Sequence, residues 1–278
     1  MINKILTGLT VDAFKGITPA VILAQIRRIG VEFAEVTVKV FAEPEKVMHS
    51  AGGMKLGLHL PIISENGFDF SCVEHQREID EIIDNINKYQ RPLNLQYILS
   101  HPTEAHLFET KCRISGDFLF ENLKKIQAPV ILENTFENAH FNFDTFLVKA
   151  EEKLGNHLTG ICFDGPHAYI SRGDLFPMLE KHFNKIRLVH LSDCTREKDL
   201  HIPFMGEGDL PIEKILHFLK DHAYSGIINL ELRPKSLTDL KPIFNSYLLI
   251  LKHLDRRKYF PMRLKQFFLL PLVHLRFR

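Results

Sequence analysis

Short apolar runs alternate with longer stretches of mixed apolar and polar residues along nearly the whole chain. Residues 5–9, 33–38, 55–60, 95–100, 130–132, 159–163, 186–191 and 227–232 are short, apolar and rich in β-branched residues, which predicts eight buried strands. The segments between them place apolar residues every three or four positions, the helix period. Thr18-Pro19 opens the first helix, through about residue 29, with a polar cap followed by proline. Further helices are expected from Glu43-Pro44, over 72–89, 116–126, 143–154, 175–182 and 211–222, and from about 237 to 254.

Eight strand–helix units in succession predict an α/β protein, a single-domain (β/α)8 TIM barrel over residues 1–254. An open doubly wound sheet is the alternative, but no GxGxxG follows the first strand. Residues 255–278 break the pattern. Arg256, Arg257, Lys258, Arg263, Lys265, Arg276 and Arg278 stand among Phe260, Phe267, Phe268 and Leu269-Leu270, a basic and aromatic C-terminal extension. Such a segment suits a membrane surface, a nucleic acid or a partner subunit, or it packs as an extra helix across the barrel bottom. Its partner is left unknown.

Composition changes this picture little. A net charge of +1 over 278 residues argues neither for nor against an acidic partner, because a local basic groove can hide in the total. Cys72, Cys112, Cys162 and Cys194 form no CxxC pair and read as thiols of a reducing compartment. No signal peptide and no spanning apolar run is evident, so a cytoplasmic protein is expected.

Chemistry in such a barrel belongs at the C-terminal ends of the strands. Those positions hold His59, His101, Glu133, Asp164 with His167, then His190 with Asp199 and His201 on the following loop, and Glu231. Singly each has an ordinary explanation. His59 or His101 beside a proline can be a hydrogen-bonded loop histidine, Glu133 can pair with a buried cation, and Asp193 can orient a neighbouring histidine. Together they place nine ligand-type residues on one rim with no basic residue to neutralise four carboxylates, which bound cations would resolve. Nine exceeds the four ligands of one tetrahedral ion and suits two or three divalent ions with a bridging carboxylate.

At these residues the chain resembles the xylose isomerase-like TIM-barrel superfamily, and within it the endonuclease IV (AP endonuclease family 2) branch. The motifs are Leu58-His59-Leu60-Pro61, His101-Pro102, Glu133-Asn134-Thr135, Asp164 with His167-Ala168, His190-Leu191-Ser192-Asp193, Asp199-Leu200-His201 and Glu231. The resemblance implies a phosphoester hydrolase in which a metal-bound hydroxide attacks phosphorus, possible substrates including abasic-site DNA. It implies His59, His101, Glu133, Asp164, His167, His190, Asp199, His201 and Glu231 as ligands of up to three ions, with zinc first and manganese or iron as alternatives. Glu133, Glu231 and His167 are expected at the catalytic positions, with Asn134 and, by its likeness to the alternative branch below, Arg196 in contact with substrate.

The chain departs from that branch at Thr103-Glu104, which adds negative charge near a phosphate path, and at Phe136-Glu137. The duplex-probing loop after the second strand is not recognisable in residues 39–43. A second branch, the sugar or sugar-phosphate isomerases and epimerases, is implied as the alternative. It would hold one ion with Glu133, Asp164, His190 and Glu231 and use the two glutamates as an acid/base pair on a small sugar. Arg196, Gly206–Asp209 and the early Gly30-Val31-Glu32-Phe33-Ala34-Glu35 resemble that branch. It has no need of His59, His101, Asp199 and His201 together.

Overall fold

The computed structural model describes residues 5–204, 207–234 and 240–276, with side chains to residue 266. Gly206, the expected helix start at 237, and the side chains of Phe267, Phe268, Leu269, Leu270, Arg276 and Arg278 lie outside the described residues. Eight parallel strands close into a ring: β1 (Leu6–Val11), β2 (Phe33–Thr37), β3 (Lys55–His59), β4 (Leu95–Ser100), β5 (Val130–Glu133), β6 (Leu158–Asp164), β7 (Ile186–Leu191) and, closing on β1, β10 (Ile227–Leu230). Between β7 and β10 the chain forms a small antiparallel hairpin, β8 (Asp193–Cys194) and β9 (Asp199–Ile202).

The helices are α1 (Pro19–Ile29), α2 (Pro44–Ala51), a single turn α3 (Ile63–Asn66), α4 (Gln76–Tyr89), α5 (Gly116–Lys124), α6 (Phe143–Leu154), α7 (Gly165–Arg172), α8 (Phe176–His182), α9 (Ile212–Asp221), α10 (Leu240–Leu254) and α11 (Arg256–Arg276). All eight expected strands form within a few residues of their expected bounds. The apolar periodicity did not reveal α3, α7 and the β8–β9 hairpin, each too short to show a period of its own. Local chemistry sets several helix ends. Pro19 occupies the first turn of α1, and Gly30, at φ +105°, ends it in the left-handed region with its N–H on the carbonyls of Ile26 and Arg27. Ser115 and Asn142 cap α5 and α6 by accepting from the backbone N–H of Phe118 and Thr145.

Two separate cores follow from strand alternation. One lies between the ring and its helices and includes Leu23, Val36, Leu58, Ile98, Leu132, Val189 and Leu230. The other fills the inside of the ring with Phe33, Tyr97, Leu99, Ile131, Cys162 and Leu188. Small residues make room for the large ones: a Cβ at Gly57 would come within 2.3 Å of the Tyr97 ring, and one at Gly8 within 2.2 Å of Phe33. The ring is thereby plugged below its mouth.

Helix α11 packs against α10 and α1 at the end opposite the mouth. Lys258 Nζ donates to Glu32 at 2.7 Å, and Met262 is buried. We propose this packing as the role of the first part of the 255–278 extension. Among the described residues no helix is long and apolar enough to cross a membrane.

Gly57→Ala forces a methyl into a ring held by its own hydrogen bond, so a loss of about 1–3 kcal/mol is expected. Urea unfolding should show a lower midpoint at unchanged slope. Gly116→Ala, whose Cβ meets only the end of Lys149 at 3.9 Å, should leave the midpoint unchanged or raise it.

Candidate metal centre

The period of two that fills the plug also builds the layer above it. Ile131 is followed two residues later by Glu133, Cys162 by Asp164, Leu188 by His190, Gly57 by His59 and Leu99 by His101, so each polar side chain enters the mouth directly above an interior position. The register aligns them across strands, with His59 beside Leu99, Glu133 beside Cys162, and Asp164 beside His190. Asp164 also caps α7: its Oδ1 accepts from the backbone N–H of His167 at 2.6 Å, which places that histidine on the first turn of a buried helix. The β8–β9 hairpin folds Asp199 and His201 back over the mouth. His201 sits at φ +48°, a left-handed conformation that costs a side chain of this size some backbone energy.

Each of the five histidines commits one ring nitrogen to a neighbouring acceptor. His59 Nδ1 lies 2.7 Å from the Leu60 carbonyl, His101 Nδ1 3.3 Å from Glu104, and His167 Nδ1 2.9 Å from the Asn134 carbonyl. His190 Nε2 lies 3.0 Å from Glu35, and His201 Nδ1 3.2 Å from the Glu231 carbonyl. With those nitrogens carrying the proton, Nε2 of His59, His101, His167 and His201 and Nδ1 of His190 remain as lone-pair donors. A ring held through one nitrogen and presenting the other is the usual arrangement of a metal-ligating histidine.

The presented nitrogens meet carboxylates. His101 Nε2 is 3.4 Å from Glu133 Oε1, and His190 Nδ1 is 3.2 Å from Glu133 Oε2 and 3.0 Å from Glu231 Oε2. Asp199 Oδ2 lies 2.8 Å from His201 Nε2 and 3.6 Å from His167 Nε2. Both oxygens of Glu133, with His101 Nε2, His190 Nδ1 and Asp199 Oδ1, are buried and have no hydrogen-bond partner. Leaving that many buried polar atoms unsatisfied is costly, and a cation is a partner that all of them could share.

The donor atoms of His59, His101 and Glu133 form one group that could hold a metal ion, and those of Glu133, Asp164, His190 and Glu231 another, each with all atoms within 4.8 Å of one another. Glu133 belongs to both. His167, Asp199 and His201 lie together beside them. Cys162 could join Glu133 and His190, but burial pushes its thiol well above its ordinary range, so it stays protonated.

Protons occupy these positions in the metal-free protein. Burial opposes the charged form of His101, but Glu133 and Glu104 outweigh it and raise the imidazole to about 10. His190 and His167 are likewise raised against burial, by Glu35 and Glu133 and by Asp164, Asp199 and Glu133 respectively. Burial acts to raise Glu231, yet His201 and His190 bring it down to about 2. Asp164 goes the other way, to about 7, because burial and the neighbouring Glu133, Glu231 and Asp199 outweigh His167.

Other residues singled out in the sequence make contacts of their own. Arg196, expected to contact substrate, is exposed; its guanidinium stacks on Tyr169 and donates to that residue's carbonyl at 2.7 Å, outside the cluster. Asn134 is buried with both ends of its amide on the backbone of Asp164, at 3.0 and 2.8 Å, which aligns β5 with β6. Among the described residues Asp193 contacts no histidine. It accepts from the N–H groups of Cys194 and Gly208, pinning the long loop where a Cβ at 208 would lie 2.2 Å from its carboxylate. Glu104, read from the sequence as a charge near a phosphate path, accepts from the N–H and hydroxyl of Ser64 and faces His101. Phe136 packs against His167, with ring centroids 4.3 Å apart, and Glu137 pairs with Arg172.

Glu35 was not among the expected site residues. It is fully buried on β2, and one oxygen accepts from both Tyr97 (2.7 Å) and His190 (3.0 Å). An acid at an inward position of an otherwise buried strand was the signal that could have found it.

Residues 117–247 match the family described as xylose isomerase-like TIM barrel. Among curated proteins, the inosose dehydratase of Salmonella typhimurium is 31% identical over 29% of this chain and 33% of its own length. That of Bacillus licheniformis is 31% identical over 30% and 36%. The matches thus span about a third of these relatives. An AP endonuclease, family 2, from Brucella melitensis superposes with a TM-score of 0.64 at 14% identity, over 84% of this chain and 94% of that one. The 3-keto-D-glucoside 4-epimerase of E. coli gives 0.65 at 16%, over 90% and 100%. At such identities the structural likeness is one of fold.

Glu35→Gln removes the charge that holds His190, so metal affinity should fall about 10–100-fold with the fold retained, measured by competition with a chelating dye. Metal must also displace protons. Because His101 keeps its proton up to about 10 in the metal-free chain, affinity should rise between pH 6.5 and 8.5 by about tenfold per pH unit for each proton displaced. An affinity that is flat or falls over this range would contradict the assignment of His101 as a ligand.

Proposed function

We propose that this xylose isomerase-like TIM barrel is a divalent-metal-dependent phosphoester hydrolase with more than one ion at its mouth. The observation that carries the reading is Glu133, whose two buried, unpartnered oxygens face His101 on one side and His190 on the other. A single ion at Glu133, Asp164, His190 and Glu231 would leave His59 and His101 on one flank and His167, Asp199 and His201 on the other without a task.

His59 and His101, then Asp164, His190 and Glu231, then His167, Asp199 and His201 would hold the ions, with Glu133 shared between the first two groups; zinc suits this mixture of imidazole and carboxylate, and manganese or iron would also fit. Bound there, divalent ions supply Lewis-acid activation of the phosphoryl group and of water. The chain's own residues do the rest. Glu35 and Glu104 hold His190 and His101 in place, the plug of Phe33, Leu99 and Leu188 excludes water from below, and the buried carboxylates repel an anionic ester until cations have entered. The chain between β2 and α2 is only a short 3-10 helix, Val38–Ala42, which favours a small phosphoester over duplex DNA.

A second reading, sugar epimerisation, isomerisation or dehydration at one ion, is favoured by the local likeness to inosose dehydratases. Glu133 and Glu231 would then move a proton next to a carbonyl. The outward placement of Arg196 counts against it.

Elemental analysis of the purified protein should find more than one equivalent of zinc, manganese or iron. Asp199→Ala and His201→Ala should each lower kcat/KM on bis-p-nitrophenyl phosphate by about 100-fold or more. One ion, lost in Glu231→Ala but kept in His59→Ala, with turnover of a ketose and none of the diester, would establish the sugar reading instead.

A further inference from the structure

A cavity of about 460 Å³ opens from the mouth, and most of its wall is apolar. Leu9, Val11, Ile22, Ile26, Ile243 and Phe244 line it, while His59 and Glu231 border the same space. Its position follows from strand alternation. Thr10 and Glu231 lie on the inner face of the ring, so their neighbours Leu9, Val11, Leu230 and Leu232 face outward. The cavity therefore descends outside the ring, between β1 and β10 on one side and α1 and α10 on the other, and joins the mouth where those two strands end. Around its entrance stand Asp12, paired with Lys39, and Arg233, paired with Glu65.

Protein interiors pack with few voids larger than a water molecule, and an apolar void costs stability in proportion to its volume. Water against the apolar stretch of wall finds few hydrogen-bond partners there. This one has the volume of a small-molecule site and shares its wall with two of the candidate ligands. A purely polar substrate, such as a sugar or a nucleic-acid backbone, would leave it unused.

We propose that the substrate carries an aliphatic chain, which lies in this slot while its polar head reaches the metal centre. The choice of a phosphoester as head rests on the hydrolase reading above; the slot itself does not. Each methylene taken from water into the slot should tighten binding by about fourfold, until the slot is full. Ile22, half-buried on α1, narrows the slot when enlarged and touches none of the proposed ligands.

The test is the binding of n-alkylphosphonates of one to eight carbons to the full, metal-loaded chain, followed by calorimetry. It is paired with hydrolysis of p-nitrophenyl alkyl phosphates of the same lengths. Affinity should climb with each added carbon, and Ile22→Trp should flatten the climb while leaving methylphosphonate binding within about twofold. Circular dichroism and thermal unfolding of Ile22→Trp verify that its fold is retained, and Gln25→Leu should keep or steepen the climb. A series that is flat in the wild-type chain, or no binding at any length, overturns the proposal. So does an Ile22→Trp variant that changes the oligomeric state instead of the slope, which would make the slot a surface between copies. A climbing series without hydrolysis leaves the slot standing and removes the hydrolase reading.

Discussion

The buried carboxylate of Glu133 is the constraint on which the mouth of this barrel depends, because both of its oxygens are enclosed and neither receives a hydrogen bond. A lone ion in that position would be untenable in a low-dielectric interior. It is tolerated because His101, His167 and His190 surround it, each raised against burial by the acids it faces. The acids and imidazoles thus sustain one another, and removing any one leaves its neighbours worse off. The same balance means the cluster could hold cations, since an ion can replace the protons without new charge being buried.

Around that cluster the structure divides its labour by depth. The plug of Phe33, Tyr97, Leu99, Ile131, Cys162 and Leu188 seals the ring from below, and Gly8 and Gly57 give its aromatic members their room. One step higher, Glu35 ties Tyr97 of the plug to His190 of the cluster, so packing and chemistry are joined through a single acid. Higher still, the loops are fastened by contacts of their own: Asn134 on Asp164, Asp193 on Gly208, Glu137 on Arg172, and Glu104 on Ser64 while it also faces His101. This explains why the 103–104 and 136–137 departures from the endonuclease IV pattern leave the cluster intact.

The apolar slot beside β1 shows the other consequence of alternation. Inward residues at the strand ends are polar and outward ones apolar, so two unlike surfaces meet within one residue's length. A ligand with a charged head and an aliphatic tail matches that junction.

Much of this was legible in the sequence because period and position carry it. Eight apolar runs separated by helical stretches determine the ring, and the two-residue period determines that Glu133, Asp164, His190 and Glu231 share its inner face. The roles of Arg196, Asn134, Asp193 and Glu104 could not be read there, since a charged or amide side chain at a strand end has the same local signature whether it meets a ligand or a backbone group. Only the tertiary structure turned Arg196 onto Tyr169, set Glu35 behind His190, folded Asp199 and His201 over the mouth on a hairpin too short to show a period, and opened the slot between β1, β10, α1 and α10. Those outcomes depend on contacts between residues tens to hundreds of positions apart, and spacing along the chain does not encode them.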